Sequence, residues 1–225
     1  IDEMDMMFDY GFIEDINDIA SRFLDTTRMM LFSATLPNGL NHFIKKYLKN
    51  PVQIKSEDKQ FEPKIEHYLI HRRHLSLEEG VLDVLSSINP SLAIVFANTK
   101  EQVSHIARYL REYGINSVEI HGGVEDRQRT QIVKRIRTGQ VRYIIATDLA
   151  ARGIDLPEIS HVINANIPTH DLSFYTHRAG RTGRTGRDGY CISLVDDTDQ
   201  NAISRLINNN IQFKFKRVHN NQIQD

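Results

Sequence analysis

The residues best suited to chemistry in this 225-residue chain lie between His177 and Arg187, a run that reads HRAGRTGRTGR. Arg178, Arg181, Arg184 and Arg187 recur at every third position. A guanidinium stays charged, and its planar fork matches phosphate oxygens two at a time. Gly180, Gly183 and Gly186 remove side-chain bulk between the arginines, so the backbone can bend and lie close to a ligand. The run suits an anionic group, best of all a polyphosphate. It also suits a solvated basic loop, or an Arg/Gly segment that coats nucleic acid.

Three further segments bear on that choice. Asp2-Glu3-Met4-Asp5 clusters carboxylates where a strand ends. Such a cluster suits Mg²⁺, which takes a few carboxylates, several waters and substrate phosphate oxygens, and a second carboxylate could orient an attacking water. On its own it also reads as a solvated turn. Ser33-Ala34-Thr35 is a small polar tripeptide after an apolar stretch, by itself a turn or a helix cap. The run from Ile145 to Asp155 carries Thr147, Asp148, Arg152, Gly153 and Asp155 on the exit from a strand. Plain strand–loop packing accounts for its apolar residues but not for two carboxylates beside Arg152-Gly153.

The elements that must hold these groups follow from periodicity. Apolar spacing predicts helices over 14–23 and 38–48, the second opened by Pro37, with a short strand at 29–32. Residues 50–63 turn polar and irregular and read as a linker. Beyond Lys64, strands at 65–70, 92–97, 118–121, 142–146, 161–165 and 190–195 alternate with helices at 78–88, 101–113, 125–137, 172–177 and 200–208. This alternation predicts an α/β fold, a parallel sheet with helices on both faces, whose ligands sit outside the carboxyl ends of the strands. The tail 213–225, basic and then Asn/Gln-rich, is expected to fray.

Composition narrows the partners. A formal net charge of −1, from 28 basic and 29 acidic residues, excludes binding of nucleic acid through bulk charge, so any such contact needs a local patch. One cysteine, Cys191, permits no internal disulfide and no multi-cysteine zinc site, and it fits a reducing cytoplasm. No apolar run approaches a membrane span, and no secretory signal opens the sequence.

Taken in order, the segments resemble the DEAD-box family of ATP-dependent RNA helicases, in superfamily 2. Asp2-Glu3-Met4-Asp5 is similar to the DEAD motif, Ser33-Ala34-Thr35 to the SAT motif, Val95–Thr99 to the fourth motif, Ala146–Asp155 to the fifth and His177–Arg184 to the sixth. The resemblance implies two RecA-like lobes: the end of the first over 1–49, a linker over 50–63, the second over 64–212 and a tail over 213–225. It implies ATP and Mg²⁺ as cofactors, with Asp2 holding the metal through water and Glu3 orienting the hydrolytic water. Arg181 and Arg184 would reach the γ-phosphate, and Gly153 and Asp155 the ribose. Asp5, Ser33, Thr35 and His177 would couple the lobes. Thr99, Gly122, Arg129 and Thr147 would touch the RNA backbone, which fixes position and reads little sequence.

The chain departs from the family pattern at Met4, which replaces alanine, at Asp126, which replaces a glutamine, and at Gly123, which replaces an aspartate. It contains no GxxxxGK[ST] loop, so the resemblance implies that this stretch alone does not turn over ATP at a useful rate. Ribonucleoprotein or RNA-decay partners, and a cytoplasmic setting, follow by family analogy only. A DNA-directed relative of the same scaffold and a non-catalytic RNA-binding lobe are the alternative readings.

Overall fold

The structure is a computed structural model. It describes all residues except Asp25, Ala34, Thr35, Pro37, 56–63, Arg152, Gly153, Asp155, 169–171 and 184–186, and leaves aside the side chains of Asp9 and Asn38. Contacts divide the chain into two compact units, Ile1–Asp58 and Lys59–Asp225. The expected linker lies across that division, and its residues 56–63 fall outside the described residues.

The first unit contains α1 (Met4–Asp9), α2 (Ile13–Ser21) and α3 (Asn38–Tyr47). Met4, Ile16, Ala20, Leu40 and Phe43 make its core. The chain crosses closely at Gly39, where a Cβ would lie 2.6 Å from the ring of Phe8. The strand expected at 29–32 does not form. Phe32 donates its N–H to the carbonyl of Ile1 at 2.9 Å and accepts from the N–H of Met4 at 3.0 Å, and the Ile1 amine donates to the carbonyl of Met30 at 2.7 Å.

The second unit is a sheet of eight strands in the order β3-β4-β2-β5-β6-β1-β7-β8. In chain order these are β1 (Ile65–His71), β2 (Ala93–Phe96), β3 (Ser117–Ile120), β4 (Tyr143–Ala146), β5 (His161–Asn164), β6 (Gly189–Val195), β7 (Phe213–His219) and β8 (Gln222–Gln224). All pairings are parallel except β7 with β8. The helices are α4 (Leu77–Ser86), α5 (Lys100–Glu112), α6 (Asp126–Arg137), the single turn α7 (Asp148–Ala151), α8 (Ser173–Ala179) and α9 (Gln200–Asn208).

Alternation along the strands sorts side chains into two cores, because successive residues point to opposite faces. Ala93, Val95 and Ala97 join Val81, Val84, Val103 and Ile106 beneath α4 and α5. Ile94 and Phe96 join Ile136, Ala150, Tyr175 and Leu206 beneath α6 to α9. Capping boxes start α4, with Ser76 and Glu79, and α5, with Thr99 and Gln102. Each box satisfies backbone donors that a helix start otherwise leaves open.

The tail corrects a sequence expectation. Residues 213–225 do not fray: β7 pairs with β1, Phe215 standing opposite Leu69, and β8 folds back on β7. Phe213 sets its ring edge-on against His67 and Tyr175, with centroids 6.0 and 5.8 Å away. Burying an aromatic side chain offsets the cost of ordering a polar segment. Phe213→Ala should therefore destabilise the second unit by ~1–3 kcal/mol. An unchanged urea midpoint would show that the tail is peripheral.

The exits of β1 and β6 are joined by a titratable tie. Asp196 accepts from the Thr198 hydroxyl at 2.5 Å and the Thr198 N–H at 2.9 Å, and its other oxygen accepts from Arg72. These bonds, those of Thr198 first, hold the Asp196 carboxyl down at about 2. Folding therefore gains from this group above the unfolded carboxylate value near ~4, and loses that gain as pH falls toward 2. Asp196→Asn should flatten this part of the acid-denaturation profile, read as midpoint against pH between about 4 and 2.

Candidate functional site

In the first unit the acidic motif lies at the start of α1. Asp2 and Glu3 are exposed, and Asp2 Oδ1 accepts the Glu3 N–H at 2.8 Å. Glu3 sits in the left-handed region at φ 50°. Four of the other five non-glycine residues described there are asparagines, which tolerate it; for a glutamate it is a strained position. Asp5 is 3% exposed, and its N–H donates to Ser33 Oγ at 3.1 Å. Thr35, the other expected coupling residue of that segment, lies outside the described residues. Met4 is fully buried in the core with Leu40 and Phe43, so the larger side chain at this position fills the interior.

In the second unit the exits of four adjacent strands converge. β3 leads to His121 and Gly122, β4 to Thr147 and Asp148, β2 to Asn98 and Thr99, and β5 to Asn166. Thr99, Gly122 and Thr147 thus stand at the carboxyl ends of three neighbouring strands. Gly122 is exposed, and a Cβ there would meet nothing within 4 Å, so a ligand backbone could approach it. The Thr99 hydroxyl accepts the Gln102 N–H at 3.2 Å. Arg129 lies on the inner side of α6 and donates to the carbonyl of Ala150 at 2.6 Å, tying α6 to α7.

The four regularly spaced arginines have different fates. Arg178 is 1% exposed and points into the interior. Its Nε and Nη2 donate to the two oxygens of Asp148 at 2.6 and 2.7 Å. Nη2 also donates to Asn98 Oδ1 at 2.9 Å, and Nη1 to the Asn166 carbonyl at 2.7 Å and Asn164 Oδ1 at 3.4 Å. The guanidinium lies 5.4 Å from the ring centroid of Phe96. Arg187 is exposed and paired with Glu158 at 2.7 Å. Of the regularly spaced arginines, then, Arg178 is an internal tie and Arg187 a surface ion pair, and neither is among the residues assigned to the γ-phosphate.

Arg181 is half-buried just past α8, between two anchors. One is Arg178; the other is Thr182, which is buried and whose hydroxyl hydrogen-bonds the carbonyls of Ile159 and Ser160 at 2.6 and 3.0 Å. A Cβ on Gly189 would lie 2.5 Å from the Gly183 nitrogen, so the turn is pressed against the start of β6. His177 is half-buried on α8. Arg184, Gly153 and Asp155 lie outside the described residues.

A layer of neutral polar groups backs Arg178. Asn164 donates to Ser193 Oγ at 3.0 Å, Cys191 and Tyr175 are in sulfur–hydroxyl contact at 3.5 Å, and Tyr175 meets His67 Nδ1 at 2.9 Å. Burial pushes the Cys191 thiol up to about 11 and the Tyr175 hydroxyl higher still, and it lowers the pKa of His67. Each change favours the uncharged form, as a low-dielectric interior requires. Sequence reasoning missed Asn164, Asn166 and Thr182. A signal for Arg178 was present: Phe174, Tyr175, Arg178 and Ala179 form one buried helical stripe.

Residues 77–186 match the helicase conserved C-terminal domain family. The DEAD-box ATP-dependent RNA helicase CshB of Bacillus subtilis is 44% identical over 216 residues, which cover 96% of this chain and 49% of that protein. The E. coli DEAD-box protein SrmB, solved with the regulator of ribonuclease activity A, is 35% identical with a TM-score of 0.61, over 68% of this chain and 90% of that one. This chain belongs to the DEAD-box helicases. The S. cerevisiae DEAD-box protein Dbp5, solved with RNA and ADP BeF3, aligns at a TM-score of 0.80 and 28% identity over 96% of this chain and 58% of that one. The chain spans about half the length of the curated relatives it matches. The sheet of the second unit is accordingly that of a RecA-like helicase lobe, as the motifs implied.

Within this DEAD-box lobe, Arg178 and Asp148 should behave as an obligate pair. Asp148→Ala leaves a buried guanidinium short of its partner and should cost ~3 kcal/mol or more of stability. The double replacement Arg178→Met with Asp148→Leu should cost less than the sum of the single changes in urea denaturation. Additive losses would show that the two side chains act independently.

Proposed function

We propose that this chain supplies the catalytic carboxylates and the second lobe of an RNA-dependent ATPase that clamps RNA and separates short duplexes. The observation that carries the reading is the double anchoring of α8. Arg178, in the last turn of α8, fixes the helix to the strand exits that bear Thr99 and Thr147, and Thr182 fixes the turn that follows, with Arg181 between them. A rigid link of this kind suits the coupling of RNA contact to ATP turnover.

In this mechanism Glu3 orients the attacking water, and Arg181, with Arg184, stabilises charge developing on the γ-phosphate. Asp2 has one oxygen engaged by a backbone N–H and is otherwise exposed, which fits a carboxylate that holds Mg²⁺ through water. The metal, bound with ATP, neutralises charge on the phosphates. Gly153 and Asp155 take the ribose. Asp5, Ser33, Thr35 and His177 transmit closure between the units. Thr99, Gly122, Arg129 and Thr147 hold the RNA backbone, so recognition is by shape and sugar hydroxyls rather than by bases. ATP and RNA each favour the closed state and so raise one another's affinity. The single, buried cysteine fits work in a reducing cytoplasm, and targeting to ribonucleoprotein or RNA-decay partners fits a core with little base preference.

The test is ATP turnover, with and without single-stranded RNA or DNA, by this chain and by a version extended upstream through a phosphate-binding loop. Only the extended version should turn over, and RNA but not DNA should stimulate it. Arg181→Ala in that version should lower kcat by about 10³ or more. RNA-stimulated turnover by this chain alone would overturn the requirement for the upstream loop. Equal stimulation by DNA would favour a DNA-directed translocase.

A further inference from the structure

One helix of the second unit, α6, is rich in basic side chains. Between Arg127 and Thr147 the chain has six basic side chains and no carboxylate, in a protein of 28 basic and 29 acidic residues. On α6, Ile132 and Ile136 face the core, while Arg127, Lys134 and Arg135 are exposed. Arg127 and Lys134 are two turns apart on one side of the helix, ~10 Å along its axis, with Arg135 beside them. Glu119 on β3 faces the opposite side of the sheet, toward Arg111 at 3.6 Å, and does not neutralise this face. Glu125 and Asp126 stand at the helix start, where negative charge suits the macrodipole.

Helix stability accounts for only part of this pattern. Lys134 and Arg135 are in the last turn, where cations are favoured. Arg127 is in the first turn, where the same field opposes it. Its placement beside Glu125 and Asp126 is not explained by the macrodipole, and its exposed guanidinium is open to an external anion. Gln128, Thr130 and Gln131, exposed on the same outer surface, add hydrogen-bonding groups suited to phosphates and sugar hydroxyls. The face is also continuous with the proposed RNA contacts, since α6 begins directly after the β3 exit at Gly122 and carries Arg129 on its inner side. That continuity favours RNA over an acidic protein as the occupant.

We propose that the outer face of α6 is a second RNA-backbone track, which holds RNA running beyond the segment gripped at the strand exits. The proposal rests on the RNA-clamp reading above. It makes affinity depend on RNA length, through Arg127, Lys134 and Arg135, with no demand on base sequence.

The test compares the upstream-extended protein with its Arg127→Gln, Lys134→Gln, Arg135→Gln triple variant, both with a non-hydrolysable ATP analogue. The probes are a single strand just long enough for the clamp and one about three times longer. Wild type should bind the longer RNA more tightly. The variant should lose ~10-fold or more on the longer RNA, with the salt dependence of log K falling by about 2, as three lost single-strand phosphate contacts require. Affinity for the short RNA, and the ATPase it stimulates, should stay within about twofold, which also shows that the variant is folded. Equal losses on both RNAs, or no loss on either, would overturn the track while leaving the clamp in place. Failure of wild type to bind either RNA would bring down the clamp reading and the track with it. If poly-glutamate bound as tightly as the longer RNA and lost affinity in the variant, the face would be a protein-docking surface instead.

Discussion

The arrangement of the second unit turns on one buried cation. A guanidinium taken out of water is costly unless every donor finds an acceptor. Arg178 offers five N–H groups, and five hydrogen bonds leave it: two to Asp148 and one each to Asn98, Asn164 and Asn166. Those acceptors come from the ends of β2, β4 and β5 and from the stretch just after β5. Arg178 thereby ties the exits of β2, β4 and β5 to one another. A buried pair of this kind offsets desolvation by attraction, so what it adds is mainly a geometric constraint on the groups it joins.

The consequence reaches along α8. The helix has only seven residues and would not hold its own shape without tertiary contacts. Arg178 secures its inner side, and Thr182 secures the turn that follows. Arg181 lies between these anchors, so its starting point is set by the same contacts that set Asn98 and Asp148. The strand exits and the turn that bears Arg181 are thus linked through α8. The neutral Tyr175, Cys191 and His67 behind it keep the interior free of a second charge beside the Arg178–Asp148 pair.

Charge in this protein acts locally. With basic and acidic residues nearly equal in number, there is no long-range field to draw in a polyanion. What attraction exists is concentrated along α6 beyond Asp126, where the sequence from Arg127 to Thr147 carries no carboxylate. Several basic groups elsewhere are spent on neighbours, as Arg72 on Asp196, Arg187 on Glu158 and Lys214 on Glu66. The protein thus separates cations that build the fold from cations left facing outward.

The sequence by itself determined the alternating pattern of the second unit. Fully apolar strands such as Ala93–Phe96 must be buried on both faces, and the helices between them carry a single apolar side. It also determined the order of the acidic, SAT and arginine motifs, because residue type and spacing carry that information directly. It did not determine which arginine faces inward. Arg178 and Arg181 have the same chemistry three residues apart, and only the packing of α8 on the sheet buries one and leaves the other near the surface. Nor could it determine that residues 213–225 would be strands, since their polar pattern is unfavourable until β1 offers an edge and His67 and Tyr175 offer a surface for Phe213. Tertiary structure decided these points because burial and strand pairing depend on partners distant in the chain, which no local spacing encodes.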